Sequence, residues 1–136
     1  MYRLFASTAV GLFVAIAVNV LVPQPVAAVS CGQNQSHNAF FGQRQLGDRL
    51  LFTNHPKVDY KLWRVVTYDV DYKIPPTTPN YVISYVEALD QFTDHNGGCA
   101  MLQSGGVGSD YVKLHLKSQR NHGLDFVVRV YAAKRY

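Results

Sequence analysis

The sequence predicts an all-β domain, either an antiparallel sandwich or a barrel of about six or seven strands. Apolar and polar residues alternate in several runs, as in the row of Val112, Leu114 and Leu116. Such a period of two places successive side chains on opposite faces of a strand. Gly, Asn and Pro residues separate the runs at intervals of about eight to twelve residues, and no amphipathic helical pattern follows residue 28. Short strands joined by turns therefore account for the chain after that point.

The predicted strands follow a polar lead-in. Residues 29–49 are rich in turn-forming residues, so we expect an irregular segment in which Phe40 and Phe41 point inward. The run at 81–89 carries apolar residues on both faces, which is typical of a central strand. The chain ends in a short tail. The predicted strands cover residues 49–53, 60–73, 81–89, 99–103, 111–118 and 124–132.

The predicted strand at 60–73 contains an irregularity. Trp63 and Val65 fall on its otherwise polar face. A β-bulge shifts this alternation by one residue, so the pattern predicts a bulge near Arg64 or a second buried surface there.

Three glycines predict a turn between the strands at 99–103 and 111–118. Gly105, Gly106 and Gly108 superficially resemble a phosphate-binding loop, but the Gly-Lys-Ser/Thr ending is missing and a strand follows instead of a helix. We therefore interpret them as a structural turn. Gly106 is expected to have a positive φ, where a β-branched residue would be strained.

Residues 1–28 have the layout of an export signal. Arg3 supplies one positive charge before the largely apolar residues 4–22, and small residues precede Ala28. We expect a helical signal peptide that is cleaved after Ala28, with Ser30 as the alternative position. An uncleaved membrane anchor is the competing interpretation, because about 19 apolar residues can just span a bilayer.

Cleavage would leave one mildly cationic domain, residues 29–136, in a secreted, extracellular protein. These 108 residues suffice for a single hydrophobic core. The formal net charge falls from +4 to about +3, because Arg3 is the one charged residue removed. Lys and Arg are scattered along the chain, which disfavours a nucleic-acid-binding face. We expect a solvated surface without direct nucleic-acid binding and without a membrane partner after signal removal; a weak attraction to anionic polymers or membranes is the alternative.

The two cysteines, Cys31 and Cys99, predict one disulfide bond in an exported chain. Two buried thiols or an intermolecular bond are the alternatives. Zinc is disfavoured, because no CxxC pair or nearby histidine pair is present. Asn34 begins an Asn-Gln-Ser sequon in a polar segment, so it is a candidate glycosylation site.

No catalytic residues are predicted. Asp94-His95 could orient a base for a nucleophile such as Ser109, but no strand-turn-helix elbow presents one. Asp69 and Asp71 share one face of a strand about 7 Å apart, a spacing that could suit weak calcium binding or a glycosidase dyad. A solvated face explains these carboxylates equally well. The protein is therefore expected not to be an enzyme.

Tyrosine and histidine give weaker signals. The five histidines stand singly, so no metal or other cofactor is expected. Several tyrosines group in the predicted central strands. We expect their rings to lie in the core with their hydroxyl groups at the surface, and a binding face is the alternative. These tyrosines are Tyr60, Tyr68, Tyr72, Tyr81 and Tyr85.

Two neighbouring segments near the C-terminus carry a family resemblance. The run SGGVGSDYVKLHLKSQR from Ser104 to Arg120, followed by Gly-Leu-Asp-Phe at 123–126, resembles the insect multiprotein-bridging-factor-2 family. The upstream pieces 42–44, 47–51 and 88–91 also look like that family, so the resemblance covers roughly residues 40 to 132. It implies the fold and the lineage of the family and transfers no catalytic or binding residue.

The resemblance implies two different functions. The family takes its name from a transcription co-activator thought to bridge a DNA-bound regulator and the general transcription machinery, whereas many relatives look like small secreted salivary or venom proteins. The export signal, the paired cysteines and the sequon favour the secreted type. We expect a secreted, non-enzymatic protein that binds an unknown extracellular protein or small ligand, with a monomer as the expected state. An intracellular co-activator is the alternative, and compartment separates the two.

Overall fold

The computed structural model describes residues 37–135, which form strands and connecting loops without any helix. The predicted signal peptide, its cleavage after Ala28, Cys31 and Asn34 lie outside the described residues. No helix in the described part of the chain is long and apolar enough to cross a membrane. The eight strands are β1 (Ala39–Gly42), β2 (Arg49–Asn54), β3 (Lys57–Val58), β4 (Thr67–Lys73), β5 (Tyr81–Asp90), β6 (Cys99–Gly105), β7 (Tyr111–Lys117) and β8 (Leu124–Lys134).

The strands form two antiparallel sheets. The five-stranded sheet has the order β1-β5-β8-β2, and the short β3 also pairs with β8. The three-stranded sheet has the order β4-β7-β6. The prediction of an antiparallel all-β domain is confirmed, and the separation into two sheets makes it a sandwich instead of a barrel.

The core lies between the two sheets and follows the period of two. On β8 every second residue is buried, and on β7 the apolar row at 112, 114 and 116 is fully buried while the charged row faces solvent. Phe52 of β2 and Tyr72 of β4 stack with ring centroids 4.5 Å apart, which joins the two sheets at one edge. The fully buried β8 residues are Leu124, Phe126, Val128, Val130 and Ala132.

The predicted central strand is confirmed. β5 lies between β1 and β8, and nine of its ten residues pair with β8. A register shift between Ile83 and Tyr85 places Ser84 in a buried position beside them. The core covers the buried apolar residues of β5, and on the outer face Tyr85 contacts the rings of Phe40 and Tyr131.

The polar lead-in contains a strand that the sequence did not predict. β1 pairs with β5 within the segment that the sequence predicts to be irregular, and β3 is a further two-residue addition to β8. Phe41 packs against the core as expected, but Phe40 is 54% exposed on the outer face. Adjacent residues of a strand point to opposite faces, so both could not point inward.

The predicted strand at 60–73 is too long. β4 begins at Thr67, and the preceding residues form a turn closed by a hydrogen bond from the Arg64 amide to the Lys61 carbonyl at 3.1 Å. The bulge predicted near Arg64 is therefore wrong, because no strand runs through that position. The alternative of a second buried surface is also wrong, because Trp63 is 77% exposed. Trp63 and Val65 broke the alternation because they belong to a loop.

The glycine turn joins β6 to β7 and docks against the other sheet. Gly105, Gly106 and Gly108 all have positive φ, at 69°, 97° and 84°. The Gly106 amide donates to the Tyr111 carbonyl and the Gly108 amide donates to the Ile83 carbonyl, each at 2.8 Å. Since Ile83 belongs to β5, this turn links the two sheets through the backbone.

The connections collect at two ends of the sandwich. One end, called the β3–β4 end below, consists of residues 59–66, 91–98 and 118–123. Hydrogen bonds join these three connections, for example from the Asn121 amide to the Arg64 carbonyl at 3.0 Å and from Gln119 Nε2 to the His95 carbonyl at 2.7 Å. The opposite end carries residues 43–48, 74–80 and the glycine turn.

Candidate interaction surface

The two strand aspartates are paired across the three-stranded sheet. Asp69 Oδ1 lies 2.6 Å from Nδ1 of His115, and Asp71 Oδ1 lies 3.2 Å from Nζ of Lys113. Both carboxylates are exposed, and each faces a partner on the neighbouring strand β7. This geometry favours the solvated-face interpretation over a calcium site or a carboxylate dyad.

Asp94-His95 and Ser109 lie at opposite ends of the sandwich. Asp94 follows the end of β5 and accepts hydrogen bonds from the side chain and the amide of Asn96, which hold the pKa of its carboxyl below the usual value. Ser109 belongs to the glycine turn and its carbonyl accepts from the Ile83 amide near the start of β5. The ten residues of β5 separate the two sites by about 30 Å. The structure does not bring these residues together.

Metal-ligating groups do not converge in residues 37–135. No set of three or more His, Cys, Asp and Glu side chains in that range could hold a metal ion. An open depression of about 450 Å³ lies at the opposite end beside Tyr81 and Ser109. Arg135 at its rim donates to the Gly108 carbonyl at 3.3 Å.

The predicted tyrosine group is split over separate surfaces. Tyr72 lies between the sheets, whereas Tyr85 lies on the outer face of the five-stranded sheet. There it stacks almost parallel to Phe40, with centroids 6.5 Å apart, and contacts Tyr131 at 5.8 Å. Tyr60 lies in the β3–β4 connection and is 62% exposed. The tyrosines therefore do not form one binding face.

An ion pair between Arg44 and Asp48 holds the β1–β2 connection against the outer face of the five-stranded sheet. Arg44 Nη2 donates to Asp48 Oδ1 at 2.7 Å and Nε donates to Oδ2 at 2.9 Å. The Gln45 amide donates to the same Oδ2 at 2.9 Å. The Arg44 guanidinium also lies 3.8 Å from the centroid of the Tyr131 ring. The hydrogen bond from Arg44 holds the pKa of Asp48 below its usual value, although burial of the carboxyl opposes this.

Stability in acid should depend on Asp48. A carboxyl with a lowered native pKa stabilises the fold above its unfolded-state pKa of about 3.9, and this contribution is lost as pH falls through the native pKa. We expect Asp48→Asn to lower the melting temperature at neutral pH and to flatten its decline below about pH 4. Melts followed by circular dichroism test this, with Asp71→Asn, which removes an exposed carboxylate of the other sheet, as the control. Parallel acid declines of the wild-type and Asp48→Asn proteins would contradict it.

The most exposed apolar side chains of the β3–β4 end lie at the apex of the Lys61–Arg64 turn. Leu62 is 70% exposed and Trp63 is 77% exposed. Trp63 has a φ of 62°, as the third residue of a type II turn requires, although glycine or asparagine usually occupies that position. The turn therefore presents two large apolar side chains between two cationic residues.

Two residues of the β7–β8 connection hold this turn in place. Asn121 Oδ1 accepts a hydrogen bond from the Trp63 amide, and the Asn121 amide donates to the Arg64 carbonyl. At the base, Ser118 Oγ accepts from the Val66 amide, and the Ser118 amide donates to the Val66 carbonyl, both at 2.9 Å. Leu62 and Trp63 are thus exposed, while hydrogen bonds fix the turn that carries them.

Two further aromatic residues lie at the same end of the sandwich. Tyr60 and Phe92, the latter 37% exposed, line one shallow cavity of about 240 Å³ together with His122. Large exposed apolar areas on a monomer often mark interaction sites. We take the Lys61–Arg64 turn together with Tyr60 and Phe92 as the candidate interaction surface.

The sequence contains a signal for this surface. Trp63 and Val65 interrupt the alternation because the strand does not extend to them, whereas the alternation alone predicts a bulge or a second buried surface. The hydrogen bond that Asn121 Oδ1 accepts from the Trp63 amide joins residues 58 positions apart, so spacing along the chain does not predict it.

Comparison with known proteins gives the family. A family model described as "Transcription activator MBF2" matches residues 41–132, which is more than half of the chain. The chain belongs to the MBF2 family. The family resemblance predicted from the glycine turn and the following strand is thereby confirmed.

A relative of this MBF2-family chain comes from the bumblebee Bombus ignitus. It is described as a probable salivary secreted peptide and is 32% identical over 133 residues, which covers 93% of this chain and 97% of the relative. No solved structure matches the chain.

Proposed function

We propose that this MBF2-family protein is a secreted, extracellular, non-enzymatic protein that binds its ligand through the candidate interaction surface. The observation that carries the proposal is the match to the salivary secreted peptide along nearly the whole chain. That match leaves about ten residues unmatched, so it extends into the 28-residue N-terminal segment with the layout of an export signal. The surface supplies exposed Trp and Tyr, two residue types that are enriched where proteins bind partners.

The proposed disulfide between Cys31 and Cys99 agrees with the position of His37. The His37 side chain is almost fully buried, and its Nδ1 lies 2.8 Å from the carbonyl oxygen of Gly98, next to Cys99. Six residues of chain can span up to about 20 Å, so the segment that contains Cys31 can reach Cys99 from there. We also propose glycosylation at Asn34, which precedes the first described residue by three positions.

The alternative is an intracellular co-activator. It is supported by the description of the family as a transcription activator. An exposed Trp and Leu turn could equally serve a protein partner in the nucleus. The cellular compartment separates the two functions, because a chain with a removed signal has entered the export route.

Expression of the full-length chain in insect cells tests the proposal. We expect the protein in the medium, beginning near Val29, with a mass that rises by two hydrogens on reduction. Asn34→Gln should remove any carbohydrate mass, and Cys31→Ser should abolish the mass change on reduction. Retention in the cell of a full-length chain that begins at Met1, with free thiols, would overturn the proposed function and favour the co-activator.

A further inference from the structure

The Lys61–Arg64 turn combines an apolar apex with cationic shoulders. We propose that this turn docks the protein on lipid bilayers that contain anionic lipid, by inserting Leu62 and Trp63 into the membrane interface. The inference rests on the proposed extracellular function and names the chemical class of its ligand. It takes up the alternative from the sequence, a weak attraction to anionic membranes, in place of the expectation that the mature chain has no membrane partner.

The shape of the apex favours a lipid surface. Leu62 and Trp63 occupy the two central positions of a tight turn, so they project outward from the end of the sandwich and do not line a groove. A rigid protein partner would need a matching pocket, whereas a lipid interface deforms around an inserted side chain. Trp and Tyr also prefer the membrane interface, because each joins an apolar ring to one polar group.

The charges around the apex are complementary to anionic headgroups. Both charged residues of the turn, Lys61 and Arg64, are positive, and both are exposed. Across the three connections of this end, the formally charged residues are Lys61, Arg64 and Arg120 against Asp59 and Asp94. Asp94 is already engaged by Asn96. Basic residues beside an inserted apolar group each add attraction to an anionic surface, and salt screens that attraction.

The turn is organised before it binds. Trp63 adopts a positive φ that L-residues rarely populate. Asn121 binds the turn through two groups, since its side-chain oxygen accepts from the Trp63 amide and its own amide donates to the Arg64 carbonyl. Strained conformations of this kind persist where surrounding contacts impose them, often at binding sites. Because the apex is held in its exposed position, little conformational entropy remains to be lost on docking. Leu62 and Trp63 contribute little to the core, since both are mostly exposed.

Trp63 itself reports the docking, because it is the one tryptophan of the chain. The mature protein from the medium is mixed with phosphatidylcholine vesicles and with vesicles that also contain phosphatidylserine. We expect the Trp63 emission to shift to shorter wavelength and to resist acrylamide quenching with the anionic vesicles. The effect should weaken as salt is raised from about 0.05 M to about 0.5 M.

Two leucines provide a matched pair for co-sedimentation with the same vesicles. Leu62→Ser should weaken binding about tenfold or more, because an inserted leucine is one of the two apolar anchors. Leu46→Ser should change it less than about twofold, because Leu46 is fully exposed in the β1–β2 connection at the opposite end. The double change Lys61→Glu and Arg64→Glu should abolish the preference for anionic vesicles.

The outcomes separate this inference from the proposed function. An exported, folded protein whose Trp63 emission is unchanged by either vesicle would overturn membrane docking and favour a protein partner, while the secreted function would stand. Equal losses for Leu62→Ser and Leu46→Ser would also overturn it, because binding would not depend on the apex. Failure of export would instead remove the proposed function itself.

Discussion

Phe126→Ala is expected to lower the free energy of unfolding by about 3–5 kcal/mol. Phe126 is fully buried on β8, where its ring faces the interior of the sandwich beside Gly98. Truncation would remove the transfer free energy of a large side chain and leave a cavity that the two sheets cannot close. Folded domains are stable by only about 5–15 kcal/mol, so this single change should remove much of the stability.

Thermal unfolding of Phe126→Ala provides the measurement, with Phe40→Ala as the matched control. A loss of this size in a domain of about a hundred residues should lower the melting temperature by at least about 12 °C. Phe40 is 54% exposed on the outer face, so its truncation should cost about 1 kcal/mol or less. Similar melting temperatures for the two variants would show that the core is not centred where the structure places it.

The second large effect is expected at Gly105. A Cβ atom added there would lie 2.2 Å from the Tyr111 carbonyl oxygen, which already accepts a hydrogen bond from the Gly106 amide. The positive φ adds a further cost of about 1–2 kcal/mol for an L-residue. We expect Gly105→Ala to destabilise the protein by about 3 kcal/mol or more, because backbone on both strands would have to move.

Gly106 and Gly108 separate the effect of the close contact with Tyr111 from the effect of the positive φ. Gly108 has a similar φ but nothing lies within 4 Å of an added Cβ, so Gly108→Ala should cost only about 1 kcal/mol. Gly106→Val falls between them, because its Cβ would lie 3.2 Å from the side chain of Leu102, which is partly exposed and can move. Urea unfolding of the three variants gives the order. Equal losses at Gly105 and Gly108 would show that φ alone decides and that the contact with Tyr111 is unimportant.

The sequence predicted correctly those features of the fold that adjacent residues determine. The alternation in β7 and β8 required one buried and one solvated face, and the structure buries the predicted rows. The apolar character of both faces of 81–89 required a central strand, since only a paired and covered strand keeps both faces from water. The glycines of the β6–β7 turn all have the positive φ that only glycine adopts without strain.

The tertiary structure decided the features that depend on distant partners. β1 forms where β5 offers it a free edge, and a run of four residues is too short for its alternation to predict a strand. Asp69 and Asp71 lie on an exposed face of the three-stranded sheet, where β7 places His115 and Lys113 opposite them.

Local sequence patterns identify the family, but they do not identify the candidate interaction surface. Local glycine and strand patterns identified the MBF2 lineage, because a turn and its strand are encoded by adjacent residues. The exposed apex at Leu62 and Trp63 depends on Asn121, which contacts the turn only after the β7–β8 connection has folded beside it. Spacing along the chain carries no information on such a contact. Patterns of adjacent residues therefore predict most of the strands and identify the family, whereas the packing of three loops at one end of the sandwich creates the exposed surface.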